Sequence, residues 1–199
     1  MINYSKDDIE TSIWTTIEES VEHGMIVSNL AFMVSKELNM DPQFCYDMAV
    51  AGVVHDVGKL KIGSFLLDKL DNLENFMVVD EAHYIRIHPS MGYAILKERG
   101  FCDRILSAVL THHENYDGSG YPGNLKGEEI PIEGRILHVC DCFGALISNR
   151  QFRKAFDLET AMEVMIDEIK NFDMKVYLAF QHLAFSREFK YMLSDFGIE

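Results

Sequence analysis

The residues with the most chemical capacity in this chain are histidines and aspartates. Of the eight histidines, His23, His55, His88, His112 and His113 fall at predicted helix ends or on core-facing helix positions. Imidazole and carboxylate together suit iron, manganese or zinc, and the lack of paired cysteines disfavours a structural zinc site. His55 and Asp56 are adjacent, and both can reach a metal if a helix ends there and the backbone changes direction. A carboxylate at that point can bridge two ions about 3.5–4 Å apart, the spacing of two-metal hydrolases. The competing reading is a helix C-terminus where the dipole favours histidine. Lys59 follows closely, placed either for a substrate phosphate or as a plain surface charge.

His112 and His113 on one helix point about 100° apart, so they can address two metals, or a metal and a substrate. A solvated pair at a frayed helix end is the alternative. Asp141 lies among apolar neighbours, where a lone carboxylate is costly unless paired or bound to metal. A salt bridge to Arg135 or Arg150 would also satisfy it. Glu19 and His23 share a helix face and can bind one metal together, or belong to a solvated face with Glu18 and Glu22. His83, His138 and His182 are assigned to core or surface.

The elements that must position these groups read as helices. Val27, Leu30, Ala31 and Val34 form a stripe at helical spacing. Asp41-Pro42 reads as an N-cap and first-position proline, opening a buried helix from Phe44 to Val54 that delivers His55 and Asp56. Pro89 opens the next helix with His88 at its cap, and Gly100 stops it. Ile105, Leu106, Val109 and Leu110 mark a helix running to His112 and His113. Asp117 to Gly123 is a loop dense in turn residues. After Pro131 a long apolar helix carries Asp141, and Leu158 to Leu193 reads as further helices. No alternating strand pattern is convincing, so the predicted class is all-α, a packed helical bundle. Residues 1–18 are expected to be a short helical extension, with the main domain over 19–199.

The chain has 199 residues, 48% of them hydrophobic, enough for a core without staples. A formal net charge of −14 disfavours binding to a nucleic-acid polymer, which needs a basic footprint. It does not exclude an anionic substrate at a metal centre, because bound cations dominate the local field. Cys45, Cys102, Cys140 and Cys142 form no C-x-x-C pair and are expected to be reduced and buried. With no signal-peptide pattern and no apolar run of membrane-spanning length, the chain is expected to be soluble and cytoplasmic, with no membrane partner.

Taken in order, His55-Asp56-Val57-Gly58-Lys59, His88-Pro89 with Gly92, His112-His113-Glu114, Asp117-Gly118-Ser119-Gly120-Tyr121-Pro122, Ile130-Pro131, Arg135-Ile136 and Asp141 resemble the bacterial HD-GYP group of the HD phosphohydrolases. The likeness runs from about Glu19 to Phe180, and Phe172-Asp173 resembles the group's closing segment. The resemblance implies an HD-type helical bundle with an HD-GYP C-terminal extension. It implies two or three divalent metal ions, iron first and manganese second, and hydrolysis of cyclic di-GMP to a linear dinucleotide or GMP. It assigns His23, His55, Asp56, His88, His112, His113 and Asp141 as metal ligands, with Glu19 as the extra carboxylate of three-metal members. It places Lys59, Tyr121, Pro122, Arg150 and Arg153 on the substrate. Ile26, Gly144, Gln151 and Phe152 depart from the group's usual residues.

The mechanism this implies is attack by a metal-activated hydroxide, with Asp56 bridging the metals and Lys59 neutralising phosphoryl oxygens. Two rivals stand beside it. One is the same chemistry on another cyclic dinucleotide or nucleotide. The other is a non-catalytic sensor or docking module that binds the dinucleotide without turnover. A homodimer or a signalling-protein partner are the expected kinds of assembly.

Overall fold

A computed structural model describes residues 6–60, 86–149 and 153–198. Eight α-helices lie wholly within these stretches: α1 (Lys6–Glu37), α2 (Pro42–Val54), α3 (His88–Glu98), α4 (Asp103–Thr111), α5 (Ile132–Ile147), α6 (Leu158–Asp167), α7 (Met174–Ala184) and α8 (Arg187–Asp195). Among the described residues there is no β-sheet, and the predicted all-α class holds. Division of the chain at residues 18 and 19 would fall inside α1, which runs unbroken across that point.

Helix α5 is the axis of the fold. Ile136, Leu137, Val139, Cys140, Phe143 and Ile147 are all buried on it, and a helix apolar on most sides must be enclosed by others. It packs against α1, α2, α4, α6 and α7. Val27, Leu30, Ala31 and Val34 of α1 cover one side. On the other, Phe143 meets Phe180 and Phe189, with ring centroids 4.8 and 5.7 Å away.

The predicted starts and stops are mostly where local chemistry put them. The Asp41 carboxylate accepts from the backbone N–H of Phe44 at 2.9 Å, with Pro42 opening α2. Gly100 follows α3 with φ +76°, a left-handed conformation suited to glycine. One expectation needs adjusting. His88 is the first residue of α3 rather than its cap, a place held by Ile87, so the His88 ring is carried by the helix itself.

Two glycines set how closely the ligand-bearing helices approach. A Cβ on Gly52 would stand 2.6 Å from the Ser28 backbone, so α1 and α2 cross in direct backbone contact. A Cβ on Gly58 would stand 2.1 Å from the His88 carbonyl oxygen, so only glycine lets the turn after Asp56 lie against the start of α3. The cysteines are all free. Cys45 and Cys140 are buried as expected, but Cys102 is exposed because it sits at the N-cap of α4, on the surface.

Candidate metal centre

Five helices converge on one buried point. Helix α2 ends at Val54, the chain turns through His55 and Asp56, and helix resumes over residues 57–60. Helix α4 likewise ends just before His112 and His113. Helix α3 begins with His88, while α1 and α5 contribute His23 and Asp141 from mid-length. His23, His55, His88, His112 and Asp141 are each at most 8% exposed.

The side-chain atoms form a continuous chain of near contacts. His23 Nε2 lies 3.0 Å from Asp141 Oδ1, and His55 Nε2 lies 3.4 Å from the same oxygen. His55 Nε2 is 3.5 Å from Asp56 Oδ2, and His88 Nε2 is 3.2 Å from Asp56 Oδ1. His88 Nε2 and His112 Nε2 stand 3.2 Å apart. Among the described residues three donor sets result, each with ligand atoms within 4.8 Å of one another: His23, His55 and Asp141; His55, Asp56 and His112; His88, His112 and His113. Donors each about 2.0–2.2 Å from a common ion must themselves lie about 3–3.5 Å apart, so the spacing fits cations.

Hydrogen bonding at the outer ring nitrogens supports the same reading. His55 Nδ1 donates to the Gly52 carbonyl at 2.8 Å, and His112 Nδ1 donates to the Val109 carbonyl at 2.7 Å. A carbonyl only accepts, so both protons sit on Nδ1 and both Nε2 atoms present lone pairs inward when the rings are neutral. His55 Nε2 is buried without a hydrogen bond among the described residues. A buried polar atom left this way is costly, and a cation would remove the cost. Imidazoles and carboxylates without thiolate suit a first-row divalent ion.

The electrostatics are divided. Burial works against the charge on His55, yet Asp56 and Asp141 outweigh it and push its pKa up to about 9. Burial likewise opposes ionisation of Asp56 and Asp141. Neighbouring imidazoles, with Lys59 beside Asp56, nonetheless hold both carboxyls well below the usual range. Burial keeps His112 neutral and drives His113 down to about 3. Neutral imidazole is the form that binds metal.

Around the centre, Lys59 Nζ donates to Asp56 Oδ2 at 2.6 Å while remaining partly exposed. The Tyr121 ring stacks on His113, centroids 4.8 Å apart. Pro122 follows on the surface, after a cis peptide bond. Glu19 is half-buried one turn before His23 and belongs to none of the three donor sets. Asp141 does not use Arg135, whose guanidinium pairs with Asp173 at 2.6 Å instead.

Arg153, expected on the substrate, is bonded within the protein. Its guanidinium donates to the carbonyls of Ala145, Leu146 and Lys154 and packs 4.3 Å from the centroid of the Phe156 ring. Two of these bonds, to Ala145 and Leu146, cap carbonyls in the last turn of α5 and use donors that could otherwise serve a phosphate. Arg150, Gln151 and Phe152 lie outside the described residues, as does His83.

Three residues have supporting roles that the sequence did not disclose. Glu114 is 2% exposed, and its carboxylate accepts from the backbone N–H groups of Gly123 and, at 3.0 Å, Leu125. It thereby clasps the Gly-Tyr-Pro loop to the end of α4. An acid directly before a glycine-rich loop was the available signal. His138 Nδ1 donates to the His112 carbonyl at 2.8 Å, bracing the paired histidines from α5. The Arg86 guanidinium lies 5.3 Å from the Tyr121 ring centroid, two residues before His88.

Comparison with known proteins bears on the family and the fold. The family described as HD domain matches residues 10–176. The cyclic di-GMP phosphodiesterase response regulator RpfG of Xanthomonas campestris is 36% identical over 140 residues, covering 68% of this chain and 35% of the relative. A cyclic di-GMP phosphodiesterase of Thermotoga maritima is 34% identical over 161 residues, covering 80% and 42%. Among solved structures, a cyclic GMP-AMP-specific phosphodiesterase of Vibrio cholerae superposes with TM-score 0.64 at 18% identity, covering 84% of this chain and 45% of the other. The chain thus spans about 35–42% of the length of these two curated relatives.

Proposed function

The chain belongs to the HD domain family, and from that premise we propose that it is a metal-dependent phosphodiesterase that opens cyclic di-GMP to the linear dinucleotide or GMP. The observation carrying this is the overlap of three donor sets through His55, Asp56 and His112. Overlapping sets suit adjacent ions better than a single isolated one. Two relatives named for cyclic di-GMP hydrolysis support the substrate. Iron is the first choice of metal and manganese the second, in a cytoplasmic setting. No described helix is long and apolar enough to cross a membrane.

When bound, divalent ions would supply a water acidified toward neutrality and positive charge for the phosphoryl oxygens. The protein's own part is positional. His23, His55, His88, His112, His113 and Asp141 would hold the ions, with Asp56 between them. Lys59, on the partly exposed side of Asp56, would take a phosphate oxygen and favour the charge that shifts in the transition state. Tyr121 and Pro122 would form the wall that the substrate meets, with Tyr121 also steadying the His113 ring. Arg150 remains the proposed basic contact after α5, and Glu19 the candidate for a third ion.

A second reading has support of its own. With Arg153 bonded at the end of α5, the cations available to grip nucleobases are not those expected, and a structural relative is named for specificity toward cyclic GMP-AMP. Protein loaded anaerobically with Fe2+ or Mn2+ should be assayed on cyclic di-GMP, cyclic GMP-AMP and cyclic di-AMP. Preferential hydrolysis of the first supports the main reading, and preference for the second moves the substrate. Binding without turnover under every loading would refute the enzyme.

A further inference from the structure

His23 differs from His55 and His112 in one respect that bears on how the ions are held. Its ring is 5% exposed, and its Nδ1 is buried without a hydrogen-bond partner among the described residues. Its Nε2 points inward, 3.0 Å from Asp141 Oδ1. For Nε2 to bind a cation, the neutral ring must hold its proton on Nδ1, where no acceptor meets it among the described residues. His55 and His112 lack this defect, since Gly52 and Val109 accept their Nδ1 protons.

The cause lies on α5. Gly144 is the residue over the outer edge of the His23 ring. A Cβ there would lie 3.5 Å from His23 Nδ1, 3.4 Å from Cε1 and 2.9 Å from Val27 Cγ2. A short side chain at 144 could therefore reach Nδ1, but glycine offers none, and Val27 narrows the space beside it. Loss of an outer hydrogen bond to a ligating histidine typically weakens metal binding about 10–100-fold.

We propose that the centre holds two unequal cations. The ion at His88, His112 and His113 is retained, and the ion at His23, His55 and Asp141 exchanges readily because Gly144 leaves His23 without an outer partner. This rests on the metal-centre reading above but not on the identity of the substrate.

The test is equilibrium binding of Mn2+ to metal-free protein, followed by the signal of free Mn2+ and by metal analysis. Wild-type protein should show two classes of bound ion, the weaker by about 10–100-fold. Gly144→Ala and Gly144→Ser add the same Cβ, and only serine adds an acceptor. Gly144→Ser should tighten the weaker class about tenfold or more relative to Gly144→Ala, leaving the tighter class in place. His23→Gln, which leaves position 144 untouched, should remove the weaker class alone. Equal affinities in the wild type, identical binding by the alanine and serine variants, or loss of the tighter class in His23→Gln would each overturn the proposal. Two unequal ions in a protein that hydrolyses no cyclic dinucleotide would sink the substrate assignment and leave this one standing.

Discussion

At the scale of single residues, two predictions follow from charge. Asp56 touches His55, His88 and Lys59 at once. Asp56→Ala should abolish turnover of a cyclic dinucleotide while circular dichroism keeps its helical signal. Retained hydrolysis would remove Asp56 from the centre. The second concerns pH. His55 rises from 6.5 to about 9 on folding. A raised histidine contributes stability that is complete below about 6.5 and lost as pH climbs through about 9. Asp56 and Asp141 are depressed below 3.8, so their contribution is present above that value and lost as pH falls through their lowered values. Metal-free protein should therefore lose urea resistance between pH 6.5 and 9, while Mn2+ uptake strengthens across the same interval as the competing proton departs. A urea midpoint independent of pH there would contradict it. Much at this scale was legible from sequence, because His55-Asp56 and His112-His113 are unusual as adjacent pairs. Arg153 was not. A guanidinium can serve a phosphate or three carbonyls equally well, and only the path of the chain after α5 decides.

At the scale of elements, the ligands are aimed by helix ends more than by helix faces. Helices α2 and α4 both finish where a pair of ligands is needed, and each supplies the carbonyl that orients its own histidine, Gly52 for His55 and Val109 for His112. The approach of α3 to the turn after Asp56 depends on Gly58. Gly58→Ala should cost about 1–3 kcal/mol, the range for forced overpacking, read as a lower urea midpoint, and should also reduce bound metal by shifting His88. Unchanged stability and metal content would show that the contact with the His88 carbonyl yields freely. The helices themselves were predictable from apolar spacing and from Asp41-Pro42 and Gly100. The clasp of Glu114 on the loop was not, since its partners are backbone N–H groups nine and eleven residues away, and a backbone group leaves no mark on residue type.

At the scale of the whole molecule, the centre joins segments from His23 to Asp141, and bound ions should stabilise the entire fold. A ligand at one hundred times its dissociation constant adds about 2.7 kcal/mol, and in a chain of this size each kcal/mol raises Tm by about 2–4 °C. Mn2+ in that excess should thus raise the melting temperature by roughly 5–11 °C, and a chelator should reverse it. A melting curve indifferent to both would mean that no ion is held by the folded state. The bundle class was readable in advance because helical periodicity recurs between the loops of the described stretches. Which five helices would meet was not, because the order of contact depends on the buried faces of α5, apolar on most sides and so silent about neighbours. That α5 is shared has a practical result. It carries Asp141 toward the ions and Phe143 toward Phe180 and Phe189 on the far side, so loosening those aromatic rings would tilt the same rod that aims the carboxylate. Metal content then becomes a gauge of core packing: a substitution such as Phe180→Ala, at a residue that offers no donor atom, should register as missing manganese before it registers as missing helix.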